Sequence, residues 1–163
     1  MKKQFSFLIF ILLATFGFSQ SNSLADCGEI PTLNVGVLKF VKSKINKKVG
    51  RGECWDLAAE ALESVDAKWN KEYIFGKEVD PNTDCIFAGD IIQFEDVKLK
   101  YIKDEVTYHE MMLHHTAIIY QVSGTGKYKL AHQNIRTRNN RVEITDIDLK
   151  DIYEGELHIY RPE

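Results

Sequence analysis

The chain has 163 residues, with 21 Lys+Arg against 24 Asp+Glu, a formal charge of −3 and three cysteines. This length suits one compact domain rather than two. The slightly acidic balance offers no general footprint for nucleic acid.

Lys2 and Lys3 precede an apolar run over residues 5–18, and small and polar residues follow over 19–23. That is the order of a secretory signal peptide, too short and too early for a membrane span. The expectation is a signal peptide over 1–20 and a secreted or periplasmic mature protein with no stable membrane insertion. Cys27 follows Leu24-Ala25-Asp26, which resembles a lipobox only loosely, and Asp26 argues against a lipid anchor. Removal of residues 1–20 leaves about 143 residues, in which 19 Lys+Arg face 24 Asp+Glu. Export permits disulfides, and three cysteines allow one bond at most. If Cys54 is the free thiol, Cys27 and Cys85 are the possible pair.

Residues 21–31 read as a short leader. Val35, Leu38, Val41 and Ile45 recur at helical spacing and predict a helix, ended by a turn over 46–50. Lys39, Lys42, Lys44, Lys47 and Lys48 near its end read as a solvated face that complements the helix C-terminus. Next comes Gly50-Arg51-Gly52-Glu53-Cys54-Trp55, whose glycines allow a tight turn. Ala58, Leu62, Val65 and Trp69 then predict a second helix over 54–69. Turn residues over 80–84 precede Ala88-Gly89-Asp90, a turn feeding a strand over 90–94. Alternation over 98–108 suits a hairpin. Strands over 115–122 and 127–131 meet across Ser123-Gly124-Thr125-Gly126. A strand at 142–144, a helical turn within 148–153 and a closing strand over 157–160 complete the pattern. Helices first and strands later give an α+β domain, its N-terminal helices packed on an antiparallel sheet or small barrel.

Cys54 opens the second helix, where unpaired backbone N–H groups favour an anion and hence a thiolate nucleophile. The bland alternative is a buried structural thiol. A thiolate needs a base, and His115 begins the clearest strand, His115-Thr116-Ala117-Ile118-Ile119-Tyr120. His114 points to the opposite face of that strand, so only one of the two can meet Cys54. The apolar run directly after His115 favours His115. A third group must hold the imidazole in its useful tautomer. The hairpin partner ends in His132-Gln133-Asn134, which makes His132 the first choice for this role and Asn134 the second. Trp55 reads as packing or a cleft wall. The segment His109-Glu110-Met111-Met112-Leu113-His114 fails the HExxH zinc pattern, because its second histidine falls one residue late. A zinc site from His109, His114 and His115 is the minor alternative, and neither metal nor cofactor is expected.

Together these segments resemble the CHAP and NlpC-like superfamily of papain-fold amidohydrolases and peptidases. In that family a Gly-x-Cys-Trp-type turn opens the nucleophile helix, similar to residues 52–55. A Pro-Gly-Asp-hydrophobic segment is matched by Ala88-Gly89-Asp90-Ile91-Ile92, and a His-Val-Ala/Gly-Ile strand by 115–119. Tyr160-Arg161-Pro162 is similar to the last strand. The resemblance implies a papain-like domain over 32–163 in which Cys54 and His115 hydrolyse a peptide or peptidoglycan amide, and a monomer is expected. It departs at Glu53, where CHAP members commonly have Gln. The Gly-x-Gly-Glu-Cys-Trp-x-Leu-Ala form also resembles the cysteine-proteinase-fold domain that ends certain fungal actin-patch proteins. That group works largely through interactions, so the alternative is a binding module that kept the fold and lost turnover.

Overall fold

The computed structural model describes residues 27–135 and 140–163, so the expected signal peptide and residues 21–26 of the leader lie outside the described residues. Pro31 leads into α1 (Thr32–Lys44), which buries Val37, Leu38 and Val41 and carries Lys42 and Lys44 in its last turn. α2 (Cys54–Glu63) buries Leu57, Ala58, Ala61 and Leu62. It ends earlier than its apolar spacing predicts. The Ser64 N–H bonds back to the Glu60 and Leu62 carbonyls, and Asp66 then takes φ 54°, a left-handed conformation that stops the helix. Val65 and Trp69 still pack on the core, from the loop rather than from a helix.

The remaining elements are β1 (Lys77–Val79), β2 (Ile91–Lys103), β3 (Val106–Gly124), β4 (Lys127–His132), β5 (Glu143–Asp148) and β6 (Ile152–Arg161), with a 3₁₀ turn at Leu149–Asp151. They form one antiparallel sheet in the order β1-β6-β2-β3-β4-β5. β1, at three residues, is too short to show a strand period in the sequence. The expected strand over 90–94 and the expected hairpin over 98–108 merge into two long strands that turn at Asp104 and Glu105, both with positive φ. Such a pair makes the tight hairpin turn whose twist matches the flanking strands.

Alternation along the strands divides the core in two. On the helix side, Ile91, Ile118, Ala131 and Tyr160 pack with α1, α2 and Phe75. On the far side, Ile92, Phe94, Ala117, Ile119, Leu130 and Ile159 form a second buried cluster with Val79 of β1. Cys27 and Cys85 are disulfide-bonded, which ties the chain before α1 to the approach to β2 and leaves Cys54 free. Beside that link, the Arg161 guanidinium donates to the buried Asp90 carboxylate at 3.0 Å and to the Cys85 carbonyl. Among the described residues no helix is long and apolar enough to cross a membrane.

Candidate active site

The turn that presents Cys54 is held from both sides. Gly50 and Gly52 take φ 54° and 97°, and a Cβ on Gly50 would stand 2.9 Å from the Asp56 side chain. Asp56, buried in the first turn of α2, accepts the backbone N–H groups of Arg51 (2.7 Å), Gly52 (3.1 Å) and Glu53 (3.2 Å). Its other oxygen takes the Arg51 guanidinium at 3.0 Å. Burial pushes the Asp56 carboxyl up, but the Arg51 guanidinium and the backbone donors outweigh it and hold the group below the usual carboxylate range. From the other side the fully buried Gln133 accepts the Val49 N–H (3.2 Å) and donates to the carbonyls of Val49 (2.9 Å) and Glu53 (2.7 Å). The peptide ahead of Cys54 is therefore clamped by one carboxylate and one amide.

Cys54 is a half-buried thiol at the start of α2, where helix N–H groups and dipole favour negative charge. It lines a pocket of about 430 Å³ with Arg51, Glu53, Tyr73, His114 and Asn134. Trp55 forms part of the wall. Its Nε1 donates to the Glu72 carbonyl at 2.6 Å, and its ring meets Trp69, which stacks on Phe75. These contacts fix the loop carrying Tyr73, whose ring lies nearly perpendicular to that of His114 with the ring centroids 4.2 Å apart.

The imidazole in this pocket is thus His114, not the expected His115. Pairing between β2 and β3 runs without a break from Ile91↔Ile118 to Glu95↔His114. Ile118 belongs to the helix-side core and Ala117 to the far side, so His114 shares the helix side with Thr116 and His115 turns away from it. His114 Nδ1 lies 2.6 Å from Glu95 Oε2. A carboxylate only accepts, which places the proton on Nδ1 of the neutral ring and leaves Nε2 as the basic lone pair. Gln93 Nε2 donates to Glu95 Oε1 at 2.9 Å, and Thr116 Oγ1 donates to Gln93 Oε1 at 2.5 Å. The thiol and the imidazole face one pocket with no hydrogen bond between them among the described residues. Unliganded sites often tighten only when substrate arrives.

The expected contact between His115 and His132 forms, but on the far side of the sheet. His115 Nε2 lies 2.9 Å from His132 Nδ1, and His132 Nε2 lies 2.9 Å from Thr145 Oγ1. Burial lowers His115 to about 4, helped by His114, and burial lowers His132 to about 3, helped by His115. Both are neutral at physiological pH. Asn134, the second choice for orienting the base, does reach the pocket but donates to Glu53 Oε2 at 2.7 Å instead. His114 and His115 occupy opposite faces, so the minor zinc arrangement with His109 does not converge. Among the described residues no group of three or more His, Cys, Asp or Glu is placed to hold a metal.

A model of the AIM3/BBC1 cysteine proteinase-fold domain matches residues 31–163. The chain belongs to this family. The match spans both helices and all six strands, so the AIM3/BBC1 domain carries Cys54 and His114 on elements within its cysteine-proteinase fold. No curated protein and no solved structure matches the chain.

No motif in the sequence marks Glu95, Gln93 or Gln133, and the apolar run after His115 favours His115 over His114. A signal was present. Gln93 and Glu95 are two apart on β2, as are His114 and Thr116 on β3. Period-two polar interruptions in otherwise apolar strands mark one face, and that face looks toward α2 of this AIM3/BBC1 domain.

Proposed function

We propose that this AIM3/BBC1 domain is an exported cysteine hydrolase that cleaves peptide or peptidoglycan amide bonds through Cys54 and His114. The observation that carries the reading is a free thiol at a helix start sharing a pocket with an imidazole whose Nδ1 is committed to Glu95. His114 Nε2 takes the Cys54 proton, and the thiolate attacks the amide carbon. The Cys54 backbone N–H, at the positive end of α2, faces the developing oxyanion. His114 returns the proton to the leaving amine, and the C–N bond breaks to give a thioester. Water, deprotonated by the same nitrogen, then releases the acid and restores the thiol. The amide and peptidoglycan assignment rests on the CHAP and NlpC-like resemblance. Export is supported by the order of residues 1–23 and by the Cys27–Cys85 disulfide, which suits an oxidising compartment.

The second reading is a binding module without turnover. The Glu53 and Glu72 residues lining the thiol pocket favour it, because carboxylates oppose a developing oxyanion. Alkylation of Cys54 by iodoacetamide separates the two. The hydrolase reading expects labelling near neutral pH much faster than free cysteine, a loss of about 10²-fold or more in His114→Ala, and none in Cys54→Ala. It also expects new amino groups from purified peptidoglycan. Labelling at the rate of free cysteine, unchanged by His114→Ala, would leave the binding module.

A further inference from the structure

β4 pairs with β3 only from Ile118 to Gly124, whereas β2 pairs with it down to Val106. Among the described residues, β3 therefore has an open edge over residues 106–114. Every second residue there turns its N–H and C=O away from β2, since antiparallel partners exchange bonds only in alternate pairs. At about 3.4 Å per residue this edge is roughly 30 Å long.

The other exposed edges of the sheet are guarded and this one is not: residues 152–158 of β6, beyond its pairing with β1, carry Glu154, Gly155 and Glu156. β1 is three residues long, and β5 carries Glu143, Asp146 and Asp148, the last two paired with lysines. Short strands and charges are how sheets discourage unwanted pairing. Residues 106–113 contain no Lys, Arg, Pro or Gly, although the paired stretch of β2 carries Lys98, Lys100 and Lys103. Their one acid, Glu110, is taken by the Tyr101 hydroxyl at 2.6 Å. Val106, Tyr108, Met111 and Leu113 stand exposed along the edge, Leu113 at 63%. The edge ends at His114, which is in the Cys54 pocket.

We propose that the free edge of β3 captures the extended polypeptide segment on which the Cys54 pocket acts, adding it to the sheet as a further strand. This rests on the reading of that pocket as a substrate site. Continuity selects the occupant: a strand laid along residues 106–113 runs directly on to His114. Backbone pairing supplies the affinity, and Met111 and Leu113 meet apolar side chains of the guest. The substrate class is then an unfolded or extended peptide chain, preferred over a compact folded protein.

The probe is reduced, carboxymethylated α-lactalbumin, a permanently unfolded chain, with the native protein as control. Amide hydrogen exchange is followed by NMR in the Cys54→Ala protein, which cannot turn over. The unfolded probe should raise protection about tenfold or more at alternate residues within 106–113, those not bonded to β2, and the native control should not. Met111→Lys with Leu113→Lys, both at exposed positions, should weaken probe binding at least tenfold while the remaining amide pattern stays native. No added protection, or equal binding by that variant, overturns the proposal. So does protection that grows with protein concentration without probe, together with a dimer in sedimentation, which would mean that the edge joins two copies. Iodoacetamide labelling of wild-type Cys54 reads the pocket separately. Fast labelling without edge protection removes the edge and keeps the hydrolase. Edge protection with an inert thiol removes the hydrolase and with it the substrate role of the edge.

Discussion

His114 has one nitrogen committed to Glu95, and that commitment decides what the other can do. With Nδ1–H donated to Glu95, the ring keeps its lone pair on Nε2, and the residue lines the Cys54 pocket. Glu95→Gln preserves size and packing but can hold the ring in either tautomer, so alkylation and turnover should fall together with little loss of stability. The effect should vanish in a His114→Ala background, because two residues acting as one unit do not add. Equal slowing in both backgrounds would show that Glu95 acts on Cys54 by another route. Glu53 is the residue where the chain departs from the CHAP pattern, and its carboxylate is anchored by Asn134. That contact gives Asn134 a task beside the thiol that differs from orienting a histidine.

The turn from Gly50 to Cys54 behaves as an element in its own right. Asp56 satisfies three consecutive N–H groups that precede the helix, a cap reaching back from inside it. Asp56→Ala should cost about 2 kcal/mol, as the loss of a strong helix cap does, read as a drop in the urea midpoint. If the turn also positions the thiol, Cys54 alkylation should slow under conditions where the variant is fully folded. An unchanged rate would make Asp56 a purely structural cap. α2 itself shows how local signals end. Its apolar spacing runs on to Trp69, yet the backbone leaves the helix after Glu63, because Ser64 and Asp66 close it and the core accepts Trp69 equally well from a loop.

Across the whole molecule, two features outside the Cys54 pocket bear on its stability. The His115–His132–Thr145 chain is buried with both rings neutral. Their native pKa values, about 4 and about 3, lie below the ordinary 6.5. The unfolded chain therefore binds more protons than the native one in this window. Stability should be level above about pH 6.5 and fall as pH drops toward 4, each histidine adding a slope of at most about 1.4 kcal/mol per pH unit. His132→Gln should flatten that profile in urea melts, and an unchanged profile would mean that other groups cause it. The Cys27–Cys85 disulfide closes a loop with a sequence separation of 58 residues. Its reduction should lower stability by about 4 kcal/mol in the chain-entropy account. Thermal melts with and without reductant, on Cys54→Ala so that no free thiol can exchange, measure it.

The sequence by itself determined the α+β class, the two helices, the turn that opens α2 at Cys54 and most of the strands, because period and turn chemistry are local properties. It also reduced the candidate base to one of two adjacent histidines. Only the tertiary structure decided between them. Strand periodicity says that His114 and His115 face opposite ways, but which face meets α2 depends on the register of β3 against β2 and on the side the helices cover. That choice is made by packing across the whole sheet. Glu95, Gln93 and Gln133 follow from the same cause, since their partners lie 19, 23 and 84 residues away along the chain. No local pattern records such a pairing, and burying unpaired polar groups costs too much for the fold to leave them without one.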